Sequence, residues 1–371
     1  MKYALVIGDG MADNPVPMLG GKTPLEQASI PVMDELAAKG EACSALTVPQ
    51  GTAPGSDTAI LNIFGYDPRR YYSGRSPLEA AGSGVTLRAG DVSYRCNMIA
   101  LEDGEIPYLE KKILSHSGGS VEGEDAEALM TDLLANPRFA ACAEENGMNI
   151  HISPSFRHIA VQQGVDIAGL LAAPPHDHLG EPQGAYLPAG CPAAAGLAEM
   201  MRIAHEVLDP HPVNQKRREE GKLPANGIWF WAEGTAIELP NFYEKYGKKG
   251  AVISAVPLVK GIGALAGMDY LPVDGATGEL DTNYEGKASA AAAGLAQGYD
   301  FVAVHVEAPD ECTHNGDTKG KLQAIEWLDS RCIRRLKTAL DAAGEPDRLL
   351  VISDHKTLTA TRGNDGDPVP Y

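Results

Sequence analysis

The chain has 371 residues and a formal net charge of −19, with 31 Lys plus Arg against 50 Asp plus Glu. That balance excludes a nucleic-acid backbone as partner, which needs clustered cations, but it still permits a small anion held by a few local charges. Hydrophobic content of 44% and charged content of 22% belong to a globular chain long enough for two cores, and six scattered cysteines without a C-x-x-C pair read as reduced thiols.

The opening "MKYALVIGDGMAD" holds an apolar run too short for a secretory leader, interrupted at Asp9. Nowhere do 18 apolar residues run together, so no membrane span is expected and the protein reads as soluble and cytoplasmic. "YALVIG" at 3–8 predicts a strand buried on both faces and delivers Asp9 at its end. In "TAPGSDTAILNIFGYDP", Ser56 follows Pro-Gly and opens a helical stretch, which places a hydroxyl at a helix N-terminus. Taken alone, Ser56 or Asp57 is as well explained as an N-cap. No Ser-His-Asp arrangement is evident nearby, so a nucleophilic Ser56 requires activation by metal.

From residue 88 to 240 the chain is richer in Pro, Gly and polar clusters, with shorter candidate strands such as "SYRCNMIAL" and "IAVQQG". This stretch predicts a second α/β domain inserted between 1–87 and 241–371, which together form the first. His176 and His178 in "PPHDHLG" have ligand chemistry but suit loop structure or substrate contact better; Trp229 and Trp231 alternate as buried strand residues do.

Runs that likewise predict strands buried on both faces return at 251–256 ("AVISAV"), 301–306 ("FVAVHV") and 348–353 ("RLLVIS"), separated by helical stretches. Strands alternating with helices predict βαβ units and a mainly parallel sheet sandwiched by helices. Such a sheet gathers its strand ends on one edge, where ligands bind. There "EAPDECTHNGD" is expected to form a loop with four carboxylates that brings Asp310 and His314 together, and "RLLVISDH" delivers Asp354 and His355. A lone D-G or D-H pair at a strand end is commonplace; three such ends on one edge point to hard divalent ions, with Mn, Mg or Zn better suited than a soft metal.

"DGMAD", "PGSD", "GYDPRRYYSGRSPLEAAG", "HPVNQKRREEGKLPAN", "GAVISAVPLVKGIG", "GATGELDTNYEGK", "VHVEAPDECTHNGD" and "SDHKT" occur in this order along nearly the whole chain. In this set of motifs the sequence resembles the archaeal-type cofactor-independent phosphoglycerate mutases of the alkaline phosphatase superfamily. The resemblance implies an alkaline-phosphatase-like α/β domain, split by an inserted domain that closes over substrate, and two divalent metal ions without bisphosphoglycerate. On that pattern Ser56 accepts the phosphoryl group in converting 3- to 2-phosphoglycerate; Asp9, Ser56, Asp354 and His355 hold one ion, and Asp310 and His314 the other. The last ligand of the second ion is a histidine in the family and falls here on Asn364, a neutral and poorer donor. Ser120 stands where relatives often carry histidine, and the resemblance expects a further strand past Tyr371. Arg75, Arg157, His158, Arg217 and Lys260 lie in family-like motifs and are the expected contacts to the phosphate and carboxylate of a small phosphorylated substrate; "KRREEGK" is equally the sequence of a solvated charged face. Competing readings keep the metals and Ser56 but make the chain a phosphatase, a phosphotransferase such as the homoserine kinase proposed for some relatives, or a catalytically weakened relative.

Overall fold

The computed structural model describes residues 1–371. In chain order its main elements are β1 (Lys2–Gly8), α1 (Pro31–Lys39), α2 (Ser56–Ile63) and α3 (Arg75–Gly82). There follow β2 (Val92–Leu101), β3 (Ile113–Ser115), β4 (Met148–His151), β5 (Arg157–Gln162), α4 (Ala193–Leu208) and β6 (Gly227–Thr235). The last part holds β7 (Gly250–Ile253), β8 (Asp269–Tyr270), α5 (Tyr284–Ala296), β9 (Phe301–Val306), α6 (Ala308–His314), α7 (Thr318–Trp327), α8 (Arg334–Ala343), β10 (Asp347–Ile352), β11 (Lys356–Leu358) and β12 (Gly363–Asp365). The chain divides into two compact units. One comprises Met1–Tyr72, Ala81–Gly84 and Ile237–Tyr371, the other Ser73–Ala80 and Val85–Ala236.

The first unit is built on a sheet of order β10-β1-β9-β7-β8, in which every pairing is parallel. Val6, Ile253, Val302 and Val304 are wholly or almost wholly buried and form its core with residues of α5, α7 and α8. These are the continuous β-branched runs that a sheet covered on both faces demands. The register places Gly8 beside Val306 and Ile7 beside Ile352, so three strands end level and deliver the residues after them to one edge. Two expectations need correction. "AVISAV" stops being a strand at Ile253, because the chain turns at Ser254 into a helix opened by Pro257. β10 is not buried on both faces: it pairs only with β1, at the sheet's edge, and leaves Leu350 40% exposed.

Between α7 and α8 the helix widens for one turn over Leu328–Ile333, closed by the Arg334 N–H on the Asp329 carbonyl five residues back. Asp329, buried there, accepts the backbone N–H groups of Val32 (3.2 Å) and Met33 (2.7 Å) at the start of α1. It caps a helix whose own N-cap, Ile30, has no side chain able to do so.

The second unit is an antiparallel sheet in which β2 pairs with β3, β5 and β6, and β4 pairs with β5. All ten residues of β2 are buried, and α4 lays Leu197, Met200, Met201 and Ala204 into this unit's core. Within it Glu79 meets two guanidinium groups, Arg75 (Nε 2.9 Å) and Arg95 (Nε 2.6 Å). No helix of the molecule is long and apolar enough to cross a membrane.

Candidate metal and phosphoryl-transfer site

Asp9 extends β1, its N–H donating to the Val306 carbonyl at 2.9 Å as the parallel ladder would continue. The next residue, Gly10, has φ +57° and gives its N–H to Asp354 Oδ1 (3.1 Å). A Cβ at Gly10 would stand 2.2 Å from Thr357 Oγ1 and 2.6 Å from Asp310 Oδ1, so the D-G pair is demanded both by backbone and by space. Ser56 is the first residue of α2, and its Oγ lies 3.1 Å from Asp9 Oδ2 and 3.1 Å from His355 Nε2. Next to it Asp57 accepts the Tyr72 hydroxyl at 2.5 Å.

Asp310 and His314 lie on α6, not on the expected loop; Pro309 fixes its first turn and favours helix over an open chain. One turn apart, they meet at 3.1 Å between Oδ2 and Nε2. His314 Nδ1 is 2.7 Å from the Arg362 carbonyl, which only accepts, so that nitrogen carries a proton and Nε2 faces Asp310. The Asp310 hydrogen bond raises the His314 imidazole to about 9. Burial pushes the Asp310 carboxyl up, but the His314 hydrogen bond and the charges of His355 and His314 outweigh it and hold it below its ordinary value.

One ligand atom each of Asp9, Asp310 and His355 lies within 4.8 Å of the others, all three buried. The Asp9 carboxyl is pushed well up, first by burial and then by the charges of Asp354, Asp310 and Glu307. Asp354 Oδ2 is buried and accepts no hydrogen bond. Crowded buried carboxylates, an oxygen without a donor, and a His–Asp pair that meets acceptor to acceptor when neutral are what a divalent cation relieves. These donors fit such an ion. Asn364 stands on β12 beside β11, its Oδ1 3.4 Å from Thr357 Oγ1.

The five expected substrate contacts are distributed differently. Arg75 pairs with Glu79 on α3, and Arg157 at the start of β5 lies over the Phe156 ring at 5.0 Å. Lys260 stands over the Tyr270 ring at 4.6 Å. His158 faces inward: its Nδ1 accepts the Ser153 N–H at 3.0 Å, and burial lowers the imidazole to about 4. Arg217 is also interior, donating to the carbonyls of Leu223, Gly118 and Gly119, which makes it a staple for the "SGGS" turn. Sequence reasoning passed over His305 in β9, whose Nε2 meets Asp9 Oδ2 at 3.0 Å while Nδ1 faces the Ser254 hydroxyl at 3.2 Å. A histidine inside an otherwise apolar strand was the available signal. Burial and Lys287 lower it to about 3, so it stands beside Asp9 as a neutral donor.

A protein of Methanosarcina acetivorans named 2,3-bisphosphoglycerate-independent phosphoglycerate mutase is 47% identical over 374 residues, spanning 100% of this chain and 90% of its own. The chain belongs to that family. The family model described as 2,3-bisphosphoglycerate-independent phosphoglycerate mutase matches residues 37–214. A relative from Geobacter sulfurreducens, named a probable 2,3-bisphosphoglycerate-independent phosphoglycerate mutase, is 41% identical over 100% of this chain and 90% of its own. Among solved structures, the PH0037 protein of Pyrococcus horikoshii superposes with a TM-score of 0.78 at 32% identity, covering 100% of this chain and 86% of the other. The cofactor-independent phosphoglycerate mutase of Thermoplasma acidophilum gives a TM-score of 0.60 at 26% identity, over 100% and 88%. The central parallel sheet flanked by helices is thus the alkaline phosphatase-like fold of these mutases.

Proposed function

We propose that the chain is an isomerase that interconverts 3-phosphoglycerate and 2-phosphoglycerate through a phosphorylated Ser56. The observation that carries this reading is the Ser56 hydroxyl 3.1 Å from both Asp9 Oδ2 and His355 Nε2, at the start of a helix and beside the carboxylate cluster. One of these two neighbours takes the single hydroxyl proton as Oγ forms its bond to phosphorus and the bond to the 3-oxygen breaks. That proton goes to the departing glycerate oxygen. In the second half the 2-hydroxyl gives its proton to the same neighbour as its oxygen bonds phosphorus, the Oγ–P bond breaks, and Ser56 Oγ takes that proton back. The α2 N-terminus favours the phosphoryl group's negative charge.

Asp9, Ser56, Asp354 and His355 would hold one divalent ion of the Mn, Mg or Zn class, and Asp310, His314 and Asn364 a second. When bound, such ions supply the positive charge that a phosphate dianion needs before an alkoxide can approach it, and they lower the hydroxyl's pKa. Arg157 and Lys260 are the candidates for the substrate's remaining charge, because Arg217 and His158 are committed inside the second unit. Excluding water from the phosphoserine is the task this reading gives to the inserted domain.

The test is to incubate manganese-loaded protein with 3-phosphoglycerate and follow 2-phosphoglycerate and free phosphate together. Isomer without phosphate is expected. Ser56→Ala should lose at least about a thousandfold in rate, and acid quenching of the wild type should trap label on Ser56. Phosphate as the sole product, or an active Ser56→Ala, refutes the proposal.

A further inference from the structure

We propose that Thr357 is a positioning residue that reinforces the tautomer of His355 set by the Lys356 carbonyl and fixes the orientation of Asp310, and that the buried Lys321–Asp13 pair clamps Thr357 in place. This rests on reading the cluster as a cation site. Thr357 is fully buried, with Oγ1 2.5 Å from Asp310 Oδ1, 3.2 Å from His355 Nδ1 and 3.4 Å from Asn364 Oδ1. A hydroxyl has one proton to give. The shortest of these contacts runs to Asp310, so the proton goes there, a lone pair faces His355 Nδ1, and the Asn364 oxygen, itself an acceptor, receives nothing from this hydroxyl.

His355 Nδ1 has a second neighbour, the Lys356 carbonyl at 3.1 Å, which only accepts. Nδ1 therefore carries the ring proton and shares it between that carbonyl and Thr357 Oγ1. The consequence appears across the ring: Nε2 is bare and faces Ser56 Oγ at 3.1 Å. The opposite tautomer puts a proton on Nε2, where it can neither bind a cation nor take the Ser56 proton. One hydroxyl thus links Asp310 and His355, which the resemblance assigns to different ions.

The hydroxyl stays there because the Thr357 backbone is gripped on both sides. Its N–H donates to the Ala12 carbonyl at 3.1 Å, and its own carbonyl accepts Lys321 Nζ at 2.6 Å. Lys321 is fully buried on α7 and also donates to Asp13 Oδ2 (3.0 Å). The same oxygen takes the Thr359 N–H (3.0 Å) and hydroxyl (2.5 Å), so Asp13 ties the segment after β1 to the residue that follows β11. Taking two charges out of water is costly, and apolar residues would pack α7 as firmly. What the pair adds is direction: three hydrogen bonds converge on one carboxylate oxygen, and a fourth fixes the carbonyl of the residue whose hydroxyl enters the site.

Long-range proton–nitrogen spectra of the metal-free protein report each histidine's tautomer, and calorimetric titration with Mn²⁺ reports affinity. The wild type should show His355 protonated at Nδ1. Thr357→Val keeps shape and backbone but removes one of the two acceptors facing Nδ1, so it should lower the Nδ1-protonated fraction and weaken Mn²⁺ about 10- to 100-fold; Thr357→Ser should restore both. The double variant Lys321→Met/Asp13→Leu, which leaves no buried charge unpaired, should shift the His355 signals and weaken Mn²⁺ in the same direction. Asp13→Asn serves if that variant does not fold. Thr357→Val with unchanged tautomer and affinity overturns the proposal, and a clamp variant that leaves both unchanged overturns the role of Lys321 and Asp13. A wild type that takes up no Mn²⁺, with a His355 Nδ1-protonated fraction that still falls in Thr357→Val, overturns the cation reading and supports the positioning role on its own.

Discussion

At Gly10 the site has no room to spare. The left-handed backbone there aims the N–H at Asp354, and the missing side chain leaves the volume in which Thr357 and Asp310 meet. Gly10→Ala is expected to cost about 2–4 kcal/mol, from positive-φ strain plus overpacking. It should also lower Mn²⁺ affinity, since the displaced atoms are Thr357 Oγ1 and Asp310 Oδ1. Thermal melts with and without Mn²⁺ check both; unchanged melting in the two conditions refutes the account. The residues ending β1 and following β9 and β10 were legible because a carboxylate closing an apolar run is visible in one dimension. Thr357, Lys321 and Asp13 were not. A threonine after a D-H pair reads as turn, a lysine on a helix reads as solvent-facing, and nothing local says that the two share a carbonyl 36 residues apart in sequence.

Among the elements, the parallel strands were readable because burial on both faces leaves apolar runs that need no partner to be recognised. β10 misled for the same reason: "RLLVI" has the composition of a central strand but lies at the edge. α6 was missed because seven residues with two carboxylates and a histidine carry too little periodicity to outweigh their polarity. In the second unit, the seam between α3 and β2 is electrostatic. Burial pushes the Glu79 carboxyl up, but Arg95 and then Arg75 pull it down to about 2, against an ordinary 4.5. A depressed carboxylate contributes stability above its ordinary value and loses it as pH falls through the folded one, so this contribution, on the order of 3 kcal/mol, should fade between pH 4.5 and 2. Glu79→Gln should therefore be markedly less stable than wild type at pH 7, and the gap should narrow across that window. Denaturant unfolding of both proteins at several pH values measures it; a gap independent of pH sinks the assignment.

For the molecule as a whole, the reduced state read from scattered cysteines can be counted. All six thiols are free; Cys43 is exposed, Cys191 partly so, and the other four are buried. Burial pushes Cys312 up to about 11 and Cys332 to about 12. A disulfide-exchange reagent without added reductant should titrate Cys43 at once and Cys191 more slowly, and reach six only in denaturant. Fewer than six in denaturant would contradict the geometry. The division of the chain into two units rests on many contacts between distant residues, and composition alone conveys little of that beyond the change in texture near residue 88.

The wide turn between α7 and α8 bears on how this chain can change. Residues 320, 324, 328, 332, 336 and 340 are all buried, a spacing of four throughout. An unbroken α-helix advances about 100° per residue, so such a stripe would creep about 40° around the axis at every step and turn away from the sheet. The extra residue takes back part of that rotation and keeps both halves in phase with one flat surface. It follows that this stretch behaves like a gear with a fixed tooth count: point substitutions on its outer face are cheap, whereas removing a single residue would misphase Lys321 relative to Leu340 and pull Asp329 away from α1.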